Sequence, residues 1–146
     1  MRALTGTALG RAALLLTAAD VLHAIDHTRQ GRDLASEVYV VGVAGWIALA
    51  LLLVLIATGH RLAAPYAAAV GLSVAIGFLA VHVAPHWSAV SDPYSGFDPD
   101  ALSWALVVLP VLAAVNLVVR AARGHARTRR SPPEPDRAAR ASSARA

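Results

Sequence analysis

Twenty consecutive residues, Tyr39 to Thr58, carry no charged side chain and no imidazole. That length matches the roughly 20 apolar residues a helix needs to cross the hydrocarbon core of a bilayer. Inside hydrocarbon the backbone must satisfy its own hydrogen bonds, so such a segment is helical or is not there. Two further segments pass the same test. Ala63 to Ala84 holds one imidazole, His82, and starts with Pro65 in what would be its first turn, a position where a missing N–H costs nothing. Ala101 to Val119 contains Pro110, which removes one backbone donor and predicts a kink near mid-membrane.

A fourth segment, Leu4 to His27, is interrupted by Arg11, Asp20, His23 and Asp26. Arg11 can extend its charge to the nearer interface, while the other three must face protein rather than lipid. An Arg-bearing start, a short core at Ala12 to Ala19 and small residues near Ala19 or Ala24 also suit a cleaved signal peptide. The apolar character that continues through Val21, Leu22 and Ile25 argues for an intact span. The expected fold class is therefore all-α, an integral membrane four-helix bundle over residues 1–120. Its spans fall at about 4–27, 39–58, 63–84 and 101–119.

The distribution of charge predicts the orientation. All 13 basic residues are arginine, and eight of them, Arg120 to Arg145, lie in the last 27 residues. Residues 121–146, rich in Arg, Pro, Ser and Ala without apolar periodicity, read as a disordered cytoplasmic tail. Its expected roles are to set topology and to touch anionic lipid headgroups. It has no aromatics for stacking on bases and no room for a recognition fold, which excludes nucleic acid as a partner. With four spans, eleven arginines collect on the side of the termini, against Arg29 and Arg32 on the other. The positive-inside rule then places both termini in the cytoplasm, as expected of a multi-pass plasma membrane protein. Three Trp and two Tyr, Tyr39 and Tyr94, fall toward the outer end of a span or in an outer loop, as interfacial anchors do.

Four of the six histidines form two pairs four residues apart, His23/His27 and His82/His86, each near the end of a span. A gap of four puts both imidazoles of a pair on one helical face, about one turn apart. The topology brings both pairs to the outer end, with His23 and His82 about 6 Å deeper than His27 and His86. On the first span Asp20, His23 and His27 share a stripe about 60° wide, and Asp26 lies about 60° beyond His23. Two carboxylates beside two imidazoles suit metal chemistry, because a ligating His commonly donates its second N–H to a carboxylate. Asp92, Asp98 and Asp100 read as loop and helix-cap residues.

Gly42, Gly45, Gly71 and Gly77 read as points of close helix approach, and Asn116 as a hydrogen-bonding group between helices. His60 and His125 stand apart from either pair. With no Cys and a single Met, the donor set points to Zn, Fe, Ni or Cu(II) rather than Cu(I). Haem held by two histidines is the alternative cofactor. No nucleophile elbow, HExxH or phosphate-binding loop is present, so no reaction is implied and a catalytic role has no motif behind it.

The expected function is a small membrane protein binding a transition metal or haem through His23, His27, His82 and His86. Asp20 and Asp26 would support these ligands. The other reading is a non-catalytic subunit whose His/Asp cluster is a structural or pH-responsive hydrogen-bond network. A chain of this size suits a homo-oligomer or a place in a larger membrane complex.

Overall fold

A computed structural model describes residues 2–31 and 35–130. A short helix α1 (Arg2–Gly6) precedes four long ones: α2 (Ala8–Gln30), α3 (Ser36–Ala57), α4 (Ala63–Phe78) and α5 (Ala101–Arg130). Leu79–Val83 continue α4 as a π-helical turn, and Tyr94–Gly96 form a single 3₁₀ turn in the loop before α5. There is no strand among the described residues. Four helical segments, Ala8–Gln30, Ser36–Ala57, Ala63–Val83 and Ala101–Gly124, are long and apolar enough to cross a membrane. The first expected span is broken at Thr7, whose side chain accepts from Gly10 N at 3.0 Å and starts α2 afresh as an N-cap does. α5 runs unbroken through Pro110 and ten residues past Arg120. Residues 121–130, expected in the tail, are thus helical, and residues 131–146 lie outside the described residues.

Helix ends follow their local chemistry. Gly59, with φ of 63°, closes α3: His60 N reaches Leu55 O at 2.9 Å and Gly59 N reaches Ile56 O at 3.1 Å. This pair of bonds is a Schellman motif, and a left-handed residue without a Cβ completes it at little cost. At the other end of the connection from α4, Asp100 accepts from Ser103 N at 2.8 Å and caps α5.

Buried residues recur at three- and four-residue intervals. On α2 they are Ala12, Leu16, Ala19, His23 and Asp26; on α5, Ser103, Val107, Pro110, Ala114, Leu117 and Ala121. Each series is one helical stripe. α5 packs most extensively, against α4 on one side and α2 on the other, while α3 touches α2 and α4 more lightly. The order around the bundle is therefore α2, α5, α4, α3, with α2 and α4 diagonal.

Of the four glycines expected at close approaches, only Gly71 is at one. A Cβ there would come within 2.9 Å of the Ala114 carbonyl and 2.8 Å of the Val118 side chain, whereas Gly42, Gly45 and Gly77 face open space. Large apolar side chains cover the outside, among them Ile25, Val40, Ile47, Val54, Ile76 and Leu112. A continuous apolar exterior on four helices of spanning length suits hydrocarbon better than water.

Candidate metal centre

α2 and α4 are diagonal, so they meet across the bundle interior through side chains. His23, buried on α2, meets Phe78 at a tilt, 4.7 Å between ring centroids, and His82 edge-to-face at 4.9 Å. His27, one turn further along α2, lies 4.6 Å from His23 and 5.5 Å from His82. The Nε2 atoms of His23 and His27 are 3.0 Å apart. One ligand atom from each of His23, His27 and His82 can be chosen so that all lie within 4.8 Å of one another. A tetrahedral ion with bonds near 2.0–2.1 Å holds its nitrogens about 3.3 Å apart. The His23–His27 pair is already near that spacing, and the third ring needs a movement of about 1.5 Å.

The π-helical turn carries His82. Its widened winding, marked by Ala84 N bonding back to Leu79 O at 2.9 Å, turns the ring inward; such turns occur often at functional sites. The turn ends where Pro85 forces Ala84 into extended backbone (ψ 151°), as the residue before a proline requires. His86 therefore falls beyond the helix. The expected one-face pairing of His82 and His86 is lost, and His86 is exposed outside the group of three. The helix needed to hold that pair stops at the intervening Ala84–Pro85.

The carboxylates also sit differently from expectation. Asp26 is 1 % exposed, yet it turns toward α5: it accepts from Arg29 Nε at 2.7 Å and Gln30 Nε2 at 2.6 Å. Arg29 in turn grips both Asp100 oxygens at 2.9 Å and donates to Ser103 Oγ at 2.8 Å. Gln30 also reaches Ser103 Oγ at 3.0 Å and the Tyr94 hydroxyl at 3.3 Å. Asp26 acts on His23 through its field and forms no hydrogen bond to it. Its place 60° from His23 is what aims it at α5. Asp20 is half-buried and outside the histidine group, with no hydrogen bond or ion pair among the described residues. Neither carboxylate belongs to the group of ligand atoms that the three imidazoles form.

Backbone carbonyls lie against two of the imidazoles. His82 Nδ1 donates to Asp92 O at 3.2 Å, which fixes the tautomer and leaves Nε2 with its lone pair, the state a metal ligand needs. The loop is held for this by Asp92 N on Val81 O at 3.0 Å and by Ser91 Oγ, which accepts from Trp87 N and Ser88 N at 3.1 Å each. His23 lies against the carbonyl of Leu106 on α5, although its Nδ1 closes no hydrogen bond of good geometry. Residue 106 is four before Pro110, so its carbonyl has no helical donor. The proline expected as a kink also exposes an acceptor beside the site.

Tyr94, expected as an interfacial anchor, is instead fully buried over the cluster, in edge-to-face contact with His82 at 5.1 Å and Trp104 at 5.2 Å between ring centroids. Arg29, Gln30 and Ser103 were missed as parts of this end. Two spacings would have found them: Arg29 and Gln30 lie three and four residues after Asp26, and Asp100 precedes Ser103 by three in a capping pattern. The Asp100 carboxyl, outside the spans, is held down at about 2 by its hydrogen bonds from Arg29 and from the Ser103 backbone. Comparison with known proteins gave no match to a family model, a curated protein or a solved structure.

Proposed function

We propose that this is a small multi-pass membrane protein that binds one transition-metal ion through His23, His27 and His82. The observation behind the reading is the convergence of three imidazoles from diagonal helices, with ligand atoms within 4.8 Å of one another in the bundle interior. Three nitrogen ligands leave a fourth position for water or an exogenous ligand. Zn(II) fits best, with Fe and Cu(II) next. Haem fits less well, because ring centroids 4.6 to 5.5 Å apart leave no space for a macrocycle between them. The arginine distribution argues for the plasma membrane with both termini cytoplasmic and the metal near the outer face, its tail touching anionic headgroups. An oligomer or a larger complex is compatible with so little soluble mass.

Metal analysis of the full chain, purified in detergent without chelators and supplemented with zinc, tests this. The expected result is one ion per chain, lost in His23→Ala and in His82→Ala. A metal-free wild type after supplementation would overturn it. That result would favour a second reading, which the 3.0 Å His23–His27 contact within α2 and the ring contacts of both with His82 support: an imidazole cluster that ties α2 to the end of α4 and responds to protonation.

A further inference from the structure

At the end of the bundle away from the histidines, α2 and α5 part around an open cleft of about 160 Å³. Its walls are Ala8, Arg11, Ala12 and Leu15 from α2, with Asn116 and Arg120 from α5. Two guanidinium groups from different helices line this space, and among the described residues no carboxylate does. The two ion pairs among the described residues both belong to Arg29, at the other end. Arg11 donates from one terminal nitrogen to Thr5 O at 3.1 Å, and Arg120 Nε donates to Asn116 Oδ1 at 3.3 Å. Each guanidinium keeps most of its five N–H donors for other acceptors, and Asn116, its oxygen engaged, presents its amide N–H₂. The cleft thus offers donors and positive charge only. That combination is complementary to a phosphate group, which guanidinium binds with two parallel hydrogen bonds.

Depth and surroundings narrow the ligand. Arg11 is one turn inside α2, and Arg120 one turn before the apolar part of α5 ends at Gly124. On a spanning helix this is where headgroup phosphates meet hydrocarbon. From the cleft toward the bilayer centre run Leu15, one turn above Arg11, and Leu112, two turns from Arg120 on the same face; both are exposed. A polar clamp at the interface and an apolar track above it match the two parts of a lipid. We propose that Arg11, Asn116 and Arg120 form a specific site for the phosphate of an anionic phospholipid, with an acyl chain along Leu15 and Leu112. A headgroup without an ammonium is favoured, because among the described residues no carboxylate lines the cleft to receive one.

Native mass spectrometry of the delipidated full chain, titrated with phosphatidylglycerol, phosphatidylcholine or inorganic phosphate, tests the site. One phosphatidylglycerol should be retained above the level of phosphatidylcholine, and inorganic phosphate should not displace it. R11Q/R120Q should weaken retention roughly 10- to 30-fold, from two lost cation contacts at the membrane surface. R11K/R120K, which keeps both charges but loses the paired guanidinium hydrogen bonds, should recover part of it, which would show that the cleft tolerates substitution. The tail arginines are present in every variant and cancel from the comparison. Undiminished retention in R11Q/R120Q overturns the proposal, as does equal retention of the two lipids. Displacement by inorganic phosphate would assign the cleft to a free oxyanion and overturn the lipid.

Discussion

Arg29 at one end of the bundle is hydrogen-bonded to Asp26, Asp100 and Ser103, whereas Arg11 and Arg120 at the other line a cleft with no carboxylate among the described residues. The same two helices, α2 and α5, supply both arrangements. At the histidine end the charges close on one another, which lets Asp26 be buried and keeps it outside the group of three imidazoles. At the opposite end the positive charges stay open to whatever surrounds the bundle. A charge matched inside the chain holds helices together; a charge left open selects something from outside. The first should appear as stability and the second as binding.

The largest effect expected from this contrast is on stability. Asp26→Ala leaves Gln30 without its buried acceptor and Arg29, itself exposed, with Asp100 and Ser103, and should destabilise the bundle by roughly 1–2 kcal/mol, the cost of losing hydrogen bonds to a buried carboxylate. R11Q/R120Q should leave stability unchanged within error. Unfolding in mixed micelles by increasing denaturing detergent, followed by circular dichroism, compares them directly. Equal losses in the two variants would break the distinction between the ends.

Next in size is a change in metal affinity made without touching a ligand. Pro110→Ala restores a backbone N–H that can return to the Leu106 carbonyl, withdrawing that acceptor from His23. Loss of such an outer partner costs about tenfold in metal affinity, while stability should fall less than in Asp26→Ala. Zinc competition against a chromophoric chelator reads the affinity. An unchanged affinity would mean that the carbonyl only packs against the ring.

How much of this was open to reading from the residues depends on what positions each group. The four apolar segments and the meeting of His23, His27 and His82 follow from hydropathy and from a topology that sends the first and third spans the same way. The diagonal placement of those spans does not follow, since four blocks in sequence fix no order around a bundle. His86 was misplaced because spacing was trusted across Pro85, although the rule for the residue before a proline was enough to end the helix. The partners of the imidazoles were sought among Asp20 and Asp26, the visible carboxylates. The hydrogen-bonded one is the Asp92 carbonyl under His82, with the Leu106 carbonyl beside His23, and every residue has a carbonyl. Only the fold of the loop and the gap left by Pro110 single these two out. Tyr94 was hidden in the same way, since the loop's 3₁₀ turn, not its own side chain, puts it inside.

A smaller effect concerns pH at the closed end. The Asp100 carboxyl is lowered from the ordinary carboxylate value to about 2. A group depressed on folding contributes stability above its unfolded value, near 4, and loses that contribution as pH falls through about 2. Wild-type stability should therefore fall between pH 4 and 2 more steeply than that of Asp100→Asn, which has no proton to take up there. Unfolding midpoints recorded across that window decide it, and parallel curves would mean that Arg29 does not hold Asp100 in solution.

The smallest expected effect is His86→Ala, and its value lies in being null. His86 shares the four-residue spacing that makes His27 a partner of His23, but the helix stops before it and the ring is exposed. A ring in that position can reach the cluster only if the segment around Pro85 moves, and Asp92 N on Val81 O together with Trp87 Nε1 on Ala80 O at 2.7 Å holds it down. Zinc stoichiometry should stay at one and affinity within about twofold, the range of a surface substitution. A loss as large as that of His82→Ala would show that these two bonds open when the metal arrives. The fourth position would then belong to the protein rather than to water, turning an open, reactive site into a closed structural one.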